Sequence, residues 1–529
     1  MSYTLVQHGS AISLLSSSGA ITAITLPDDV TISSSRTPRF AIWKNEVVMV
    51  NAASEPLAIN REASARVLVP RPPVSAPILS VVAGGTLTGS FKVKASFYVK
   101  DFFGNLLAES ALGPASATVS PSSQFILAAD VPVSSQTISG RRLYRTVTGP
   151  GSVYFPWIDI DGNTVTSVQN DLSDVGLQLV SAPENLGAVP DLYLITEWRG
   201  RLWGVDRRNV DILRRSGADL AYAWDVDLAF VIPQIGADLR GVTALLRRKD
   251  ELGVGRYRAM HMIVGNDDDD FTPVGVKEKI GVLNQESVQV VDDIAYFLGN
   301  PFALYKWSDG GVDNISDEKV KSWFSTDTYF NRSRFQYATS TYDPVNRLVI
   351  WFLAAPGSSD NDRWISYDIT AEEFYGPHKT GAFTPTCSGP LTLSDETEVP
   401  VIGSSSGFLW KPQATRTDDT ATAIDLDVDS PFHAGDPPTP LIDKYFGELH
   451  LITKVLASGT LTITPKVGQL DASVGTAMTH DMTLGEETLG RLGVGGPFVQ
   501  LNFRQNTVGV DCVLRGYEIE YFELGRRLP

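Results

Sequence analysis

The sequence predicts an almost entirely β-sheet protein: a β-propeller of about six blades, interrupted by an inserted immunoglobulin- or fibronectin-like sandwich and followed by a C-terminal β-sandwich. Three observations predict it. Apolar and polar residues alternate at period two over most of the 529 residues, in runs bounded by Gly, Asn, Asp and Pro. Apolar spacing of helical period is almost absent, so short helices are expected only around Asp317 to Phe324 and Thr370 to Phe374. Finally, strand–turn–strand segments of one plan recur from Leu194 onward at intervals of roughly 40 to 50 residues, the spacing of four-stranded blades.

Phe40 to Val50 is the first such segment, and residues 1–76 are read as the first part of the propeller. Composition then shifts at Val69-Pro-Arg-Pro-Pro-Val-Ser-Ala-Pro77, a linker by its prolines. The stretch it opens has short strands with turn signals every 8 to 12 residues or so, among them Phe91 to Asp101, Gly140 to Thr146 and Val153 to Phe155. No cysteine pair accompanies them, so residues 77–182 are expected to fold as a sandwich without a disulfide. The propeller plan resumes over 183–415, with segments at Leu194 to Gly204, Thr243 to Val264, Val288 to Ile315, Tyr337 to Tyr375 and Leu391 to Trp410. Thr, Asp and Pro dominate 416–440, which reads as a second linker. Alternation then returns at His450, Leu461, Phe498 and Gly516, placing a separate sandwich at 441–529.

Composition narrows the function. Charged residues make up 20% and apolar residues 43%, the balance of a folded chain with sizeable cores. The 44 basic and 61 acidic side chains give a net charge of −17, which argues against gripping nucleic acid through its phosphates. Cys387 and Cys512 are too few for a disulfide framework and are expected as free thiols. Met1 to His8 lacks a basic and then apolar leader, and no run approaches the roughly 18 apolar residues of a membrane helix. A protein without a membrane span, made in a cytoplasm, is expected.

Candidate chemistry is thin. Gly403-Ser-Ser-Ser-Gly407 has the spacing of a hydrolase nucleophile elbow, but Phe408-Leu-Trp410 after it reads as strand where the elbow needs a helix. Turn chemistry explains it. Asn266 followed by Asp267, Asp268, Asp269 and Asp270 offers carboxylates to a hard cation, or an acidic lumen surface, yet lacks the spacing of a calcium loop and reads as a solvated turn. Asp159-Ile-Asp-Gly-Asn163 reads the same way. The six histidines show no metal-ligand spacing, and no phosphate-binding glycine loop occurs. No catalytic residue, metal or cofactor is therefore expected. One basic cluster stands out: Arg199, Arg201, Arg207, Arg208, Arg214, Arg215, Arg247 and Arg248, continued by Lys249, Arg256 and Arg258. It reads either as a rim of mixed charge or as a subunit interface, where the guanidinium fork would pair with acids of a neighbouring copy.

A resemblance sharpens these alternatives. Gly281-Val-Leu-Asn-Gln-Glu-Ser-Val-Gln-Val-Val-Asp-Asp-Ile-Ala-Tyr-Phe-Leu-Gly299, with Ala303 to Trp307 and Asn314 to Ser316, resembles the tail nozzle proteins of short-tailed bacteriophages. These are also called tail tubular protein B or packaged-DNA stabilisation proteins. Tyr342 to Phe352, Trp364 to Ile369 and Arg201 to Asp206 are similar to further strands of that family. The resemblance covers roughly residues 190 to 415, and the rest only in domain order. It implies propeller blades and a structural virion protein assembled in the host cytoplasm. It also implies a homo-oligomeric, hexameric ring below the tail adaptor and next to tail fibres or tip, with double-stranded DNA passing through unbound. An acidic wall suits that task, because DNA carries about one negative charge per 1.7 Å of axis and would be held by a basic one. Two other functions stay open: a receptor-binding or fibre-docking component, with a sugar site among Tyr445, Phe446, Tyr517, Tyr521 and Phe522, and a propeller glycosidase using two carboxylates. Alternation places those five aromatics in a core.

Overall fold

The computed structural model describes residues 3–149, 151–177, 180–182, 186, 189–225, 227–234, 240–381, 383–411, 418–419, 422–423, 426–430, 432–434, 442–467, 473–506, 512 and 514–526. The chain is nearly all β, with 54% strand and 4% helix. It divides into two compact units: residues 1–378 with 385–411, and 379–384 with 412–529.

Seven antiparallel sheets, each built from strands consecutive in the chain, make up most of the first unit. The first sheet consists of Tyr3–His8, Ala11–Ser16 and Ile21–Ala23. Arg39–Trp43, Glu46–Val50, Leu57–Ile59 and Ala65–Val67 form the second. The third is Leu192–Trp198, Arg201–Asp206, Ile212–Arg215 and Ala229–Val231, and the fourth Val242–Arg247, Leu252–Arg256, Ala259–Val264 and Thr272–Glu278. In the fifth, Gly281–Val282 and Val288–Val291 both pair with Ile294–Asn300, which continues to Ala303–Ser308 and Gly311–Asn314. The sixth is Thr339–Asp343, Leu348–Leu353, Arg363–Asp368 and Glu373–Lys379; the seventh is Pro385–Thr392, Glu398–Ser404 and Leu409–Trp410. Tight hairpins give this order: Arg199 and Gly200, at φ 51° and 65°, and Asp292 and Asp293, at φ 50° and 65°, supply the left-handed pairs that match strand twist.

Inner strands of these sheets, such as Arg201–Asp206 and Leu252–Arg256, are buried on both faces and so are more apolar than one-sided sheets require, whereas closing strands such as Thr272–Glu278 are largely exposed. Ile12 and Leu14 of the first sheet share a core with Met49 and Leu57 of the second, and Ala41 and Val48 of the second share one with Leu192 and Leu202 of the third. Trp203 joins the third sheet to Leu245 and Val254 of the fourth; Ala244 and Met260 join the fourth to Phe297 of the fifth; Leu298 joins the fifth to Trp351 of the sixth. Polar joints connect the sixth and seventh, where Asn361 Nδ2 donates to the Pro385 carbonyl at 3.3 Å. Leu391 and Val401 of the seventh pack against Val6 and Leu15 of the first.

Between the second and third sheets lies a two-sheet sandwich. Leu106–Glu109, Val93–Lys100, Gly140–Thr146 and Tyr154–Asp161 face Val168–Asn170, Ser122–Ala129 and Ile78–Thr88 across a core of Phe91, Ile126, Leu143 and Trp157. In the second unit, Leu426–Asp429, Val499–Gln505, Thr460–Val467 and Ser473–Val474, with Met478–Asp481, share a core with Glu486–Gly496, Ile442–Thr453 and Leu514–Arg526. Of the expected linker over 416–440, Leu426–Asp429 is thus a sheet strand, while residues 416–417, 420–421, 424–425, 431 and 435–440 lie outside the described residues. Phe446 is core here, Tyr517 and Tyr521 pack against it, and Phe522 is 56% exposed.

One of the two expected helices forms and the other does not. One α-helix, Lys321–Ser325, forms within 317–324 as expected and ends one residue beyond it. No helix forms at 370–374: the Asp368 carboxylate accepts the Thr370 and Ala371 N–H groups at 2.8 and 2.9 Å, closing a turn that leads into the strand from Glu373. Both cysteines are free thiols.

Candidate functional site

A connected polar group in the first unit sits where the opening strands of the sheets lie side by side. Its centre is the run Asn284-Gln285-Glu286-Ser287, which turns the chain in the fifth sheet through a 3-10 turn capped by the Asn284 side chain. Each residue of the run reaches another element. Asn284 Nδ2 donates to the Gln336 and Ala338 carbonyls ahead of the sixth sheet, at 2.9 and 2.8 Å. Gln285 brackets Leu245 of the fourth sheet, accepting its N–H at 2.7 Å and donating to its carbonyl at 3.1 Å. The Ser287 carbonyl accepts the indole N–H of Trp351 at 3.0 Å, and the Glu286 carboxylate pairs with Arg39 of the second sheet. Since the second and fifth sheets are not neighbours in the packing order, this ion pair crosses the space between the opening strands.

Around the pair, Gln289 Nε2 donates to Ser340 Oγ at 3.0 Å, Ser340 Oγ donates to the Glu286 carbonyl at 2.6 Å, and Ser388 Oγ donates to the Ser340 carbonyl at 2.5 Å. Both hydroxyls are spent on backbone carbonyls, so neither is set against a general base. The nearby Cys387 is a free, exposed thiol whose pKa is raised, by desolvation first and also by the Glu286 charge. Among the described residues, the hydrogen bonds and ion pairs of Glu286 bring no second carboxyl to it, as glycoside hydrolysis would need. No group of His, Cys, Asp and Glu able to hold a metal ion occurs among the described residues. The contacts shown here join the second, fourth, fifth, sixth and seventh sheets.

A double-mutant cycle measures that. Arg39→Met and Glu286→Gln are each expected to destabilise the protein, with a coupling of about 1–2 kcal/mol, because both side chains are about four-fifths buried. Denaturant unfolding of the four proteins reads the coupling; a value below about 0.5 kcal/mol would make the crossing pair incidental.

The arginine cluster is paired within the chain. Arg201 Nε meets Asp268 Oδ1 at 2.9 Å, and Arg215 binds the same oxygen. Arg207 pairs with Asp191 at 3.1 Å, Arg214 with Asp206 at 2.8 Å and Arg247 with Glu197 at 2.8 Å. Arg248, its side chain 2% exposed, meets Glu251 at 3.1 Å, Asp293 at 3.6 Å and also Asp309, and lies 4.7 Å from the Trp307 ring centre. Arg199 covers Trp198 at 5.1 Å and meets Asp250 at 3.6 Å. Arg208 is exposed, and among the described residues its guanidinium takes no ion pair. The acids expected on a neighbouring copy are therefore supplied in large part by the chain itself, in several cases from the next sheet.

The aspartate run divides likewise. Asp270 accepts the Asn266 and Asp267 N–H groups at 2.6 and 2.9 Å, and Asp267 accepts that of Asp269 at 3.1 Å, the self-capped turn that its composition suggested. Only Asp268 turns inward, to the two arginines. Sequence reasoning missed Arg39, Glu286, Ser340 and Ser388; the one available signal was four polar residues in a row at 284–287 inside a strongly apolar stretch.

Comparison with known proteins adds no family. No protein-family description matches the chain, and no curated protein matches it. Among solved structures it is similar to PorZ, a surface component of the type-IX secretion system of Porphyromonas gingivalis, at 10% identity and TM-score 0.27 over 77% of this chain. The chain spans 59% of that PorZ chain. It is also similar to the extracellular domain of the one component system BT4673 of B. thetaiotaomicron, at 8% identity and TM-score 0.25, covering 100% of this chain and 72% of that one. AztD of Citrobacter koseri follows at 10% identity and TM-score 0.24, over 62% of this chain and 94% of its own. Likenesses this faint add nothing to what the strands themselves establish.

Proposed function

We propose that the chain is a structural, non-catalytic subunit of a phage tail nozzle. In this reading its seven consecutive sheets are the blades of a closed propeller, and six copies form a ring below the adaptor that retains packaged DNA and conducts it at ejection. The observation that carries the reading is the fate of the segments resembling nozzle proteins. Gly281 to Gly299 and Tyr342 to Phe352 are opening and second strands of the fifth and sixth sheets, and their polar residues tie sheets together. The domain order supports it as well: a sandwich between the second and third sheets, and another after the seventh.

DNA would run between copies, since the space along the opening strands is crossed by the Arg39–Glu286 pair. A net charge of −17 then favours a wall that repels phosphates over one that binds them. Adaptor, fibre and tip proteins are the partners this role requires.

Electron microscopy of the purified protein, alone and mixed with phage particles lacking their tail tip, tests it. Six-fold rings, or new density on the tail axis, are expected. Trimers, peripheral density or turnover of a capsular polysaccharide would overturn the nozzle reading.

A further inference from the structure

The turn between strands Val93–Lys100 and Leu106–Glu109 of the inserted sandwich ends in two aromatic side chains given wholly to solvent. Phe102 is 98% exposed and Phe103 85% exposed, with ring centres 5.6 Å apart at 83°. The turn is held firmly. The Asp101 carboxylate accepts the Phe103 and Asn105 N–H groups at 2.9 and 2.8 Å and the Asn105 amide at 2.9 Å, and Gly104 takes φ 86°. Adjacent phenylalanines on a fixed tip are the kind of anchor that fills a partner's pocket, because little conformational freedom is left to lose on binding.

A receptive pocket lies on the same chain. It is a cavity of about 130 Å³ lined mainly by Pro56, Val69, Pro70, Pro72, Ala111 and Val189. An apolar cavity of roughly 150 Å³ accommodates a benzene ring, so this one is of phenyl size. The polar groups at its lip are already engaged: Glu55 accepts from Arg71 and from Gln136 Nε2, and Arg71 also meets Asp29 at 2.9 Å. What is left to recognise is apolar. The tip does not fill its own pocket. Its two rings are exposed, and Ala111 lies eight residues beyond Phe103, past the far end of the strand Leu106–Glu109, which alone spans about 13 Å.

We infer that the Phe102–Phe103 tip of one copy docks into the Pro56–Ala111–Val189 pocket of a second copy of this chain. Because tip and pocket are different patches, the contact is heterologous and repeats from copy to copy, the kind that builds closed rings or open filaments rather than two-fold dimers. A membrane surface suits the tip less well: Asp101 stands beside the rings, and the adjacent basic side chain, Lys100, is turned to Asp159 at 3.6 Å and to the Tyr98 ring. The inference needs only a second copy of this chain and holds whether or not the assembly is a nozzle.

The test uses the full-length chain. A benzophenone amino acid in place of Phe102 should crosslink, on illumination, to residues 55–72, 111 or 189 of another copy, as mapped by mass spectrometry. The double variant Phe102→Ser, Phe103→Ser should melt like the wild type, yet associate at least tenfold more weakly in sedimentation velocity. Ala111→Trp, which fills the pocket, should weaken association equally, and mixing the two variants should give dimers that grow no further. The inference is overturned by crosslinks that map elsewhere, by the absence of crosslinks between copies, or by undiminished association of the tip variant. Rings that persist in the tip variant would sink this contact and leave the nozzle reading standing; pocket crosslinks in a wild type that forms no ring would do the reverse.

Discussion

Trp203→Ala is expected to destabilise the first unit by about 3–5 kcal/mol, the range for deleting a large buried aromatic. Trp203 is 0% exposed in the core between the third and fourth sheets. Its ring stacks on Phe230 at 6.1 Å, meets Phe271 edge-on at 5.2 Å, and tilts against Trp198 at 5.7 Å. Its indole N–H donates to the Trp198 carbonyl at 3.1 Å, so alanine would also remove a buried hydrogen bond. Phe271 in turn carries the guanidinium groups of Arg201 and Arg215, at 5.0 and 5.3 Å, so a collapse of this cavity would move the ionic layer above it. Ile42→Ala makes the comparison, since Ile42 is 70% exposed and should cost within about 0.5 kcal/mol. Urea unfolding followed by tryptophan emission checks both. A loss below about 1.5 kcal/mol for Trp203→Ala would mean that the two sheets are not held through this core.

Trp203 also marks how far the sequence could be read. The alternation around Trp198 and Trp203 announced two paired strands with a tight turn between them, and Arg199 and Gly200 supply that turn. Period and turn chemistry are local, so strands and hairpins were legible. The first sheet was not, because Ser13 is buried beside Ile12 and Leu14 and breaks the contrast on which an alternating pattern depends. Part of the 416–440 stretch hid a strand for a similar reason: Leu426 to Asp429 alternates too briefly to stand out from its Thr- and Asp-rich surroundings. The polar site was the least legible part. Arg39 and Glu286 lie 247 positions apart, and nothing local to either one names the other. The arginines were visible as a cluster but their partners were not, since Asp268 follows Arg201 by 67 positions and looks like each of its three neighbours in the run.

Asp268→Ala is the sharper test of that ionic layer, with an expected loss of about 2–3 kcal/mol. An exposed ion pair contributes about 0–1 kcal/mol, and breaking a fully buried one costs about 3–5 kcal/mol. Asp268 falls between them: its own side chain is 45% exposed, but those of Arg201 and Arg215 are 7% and 4% exposed and would be left without their shared carboxylate. Asp269→Ala, one residue along the same turn, should stay within about 0.5 kcal/mol, so the run's net charge is not the cause. The pH dependence separates charge from shape. Burial alone would raise the Asp268 pKa, but the Arg201 hydrogen bond and the charges of Arg215 and Arg201 outweigh it and hold the carboxyl below its ordinary value. A folded-state pKa that is depressed gives stability that is complete above the unfolded value, about 3.9 for Asp, and is lost as pH falls through the folded one. Asp268→Asn keeps the shape and cannot titrate. Its deficit against the wild type should therefore be full at pH 6 and shrink steadily below about pH 4. A deficit that does not change with pH, or an Asp269→Ala loss equal to that of Asp268→Ala, would show that the two arginines do not depend on this carboxylate.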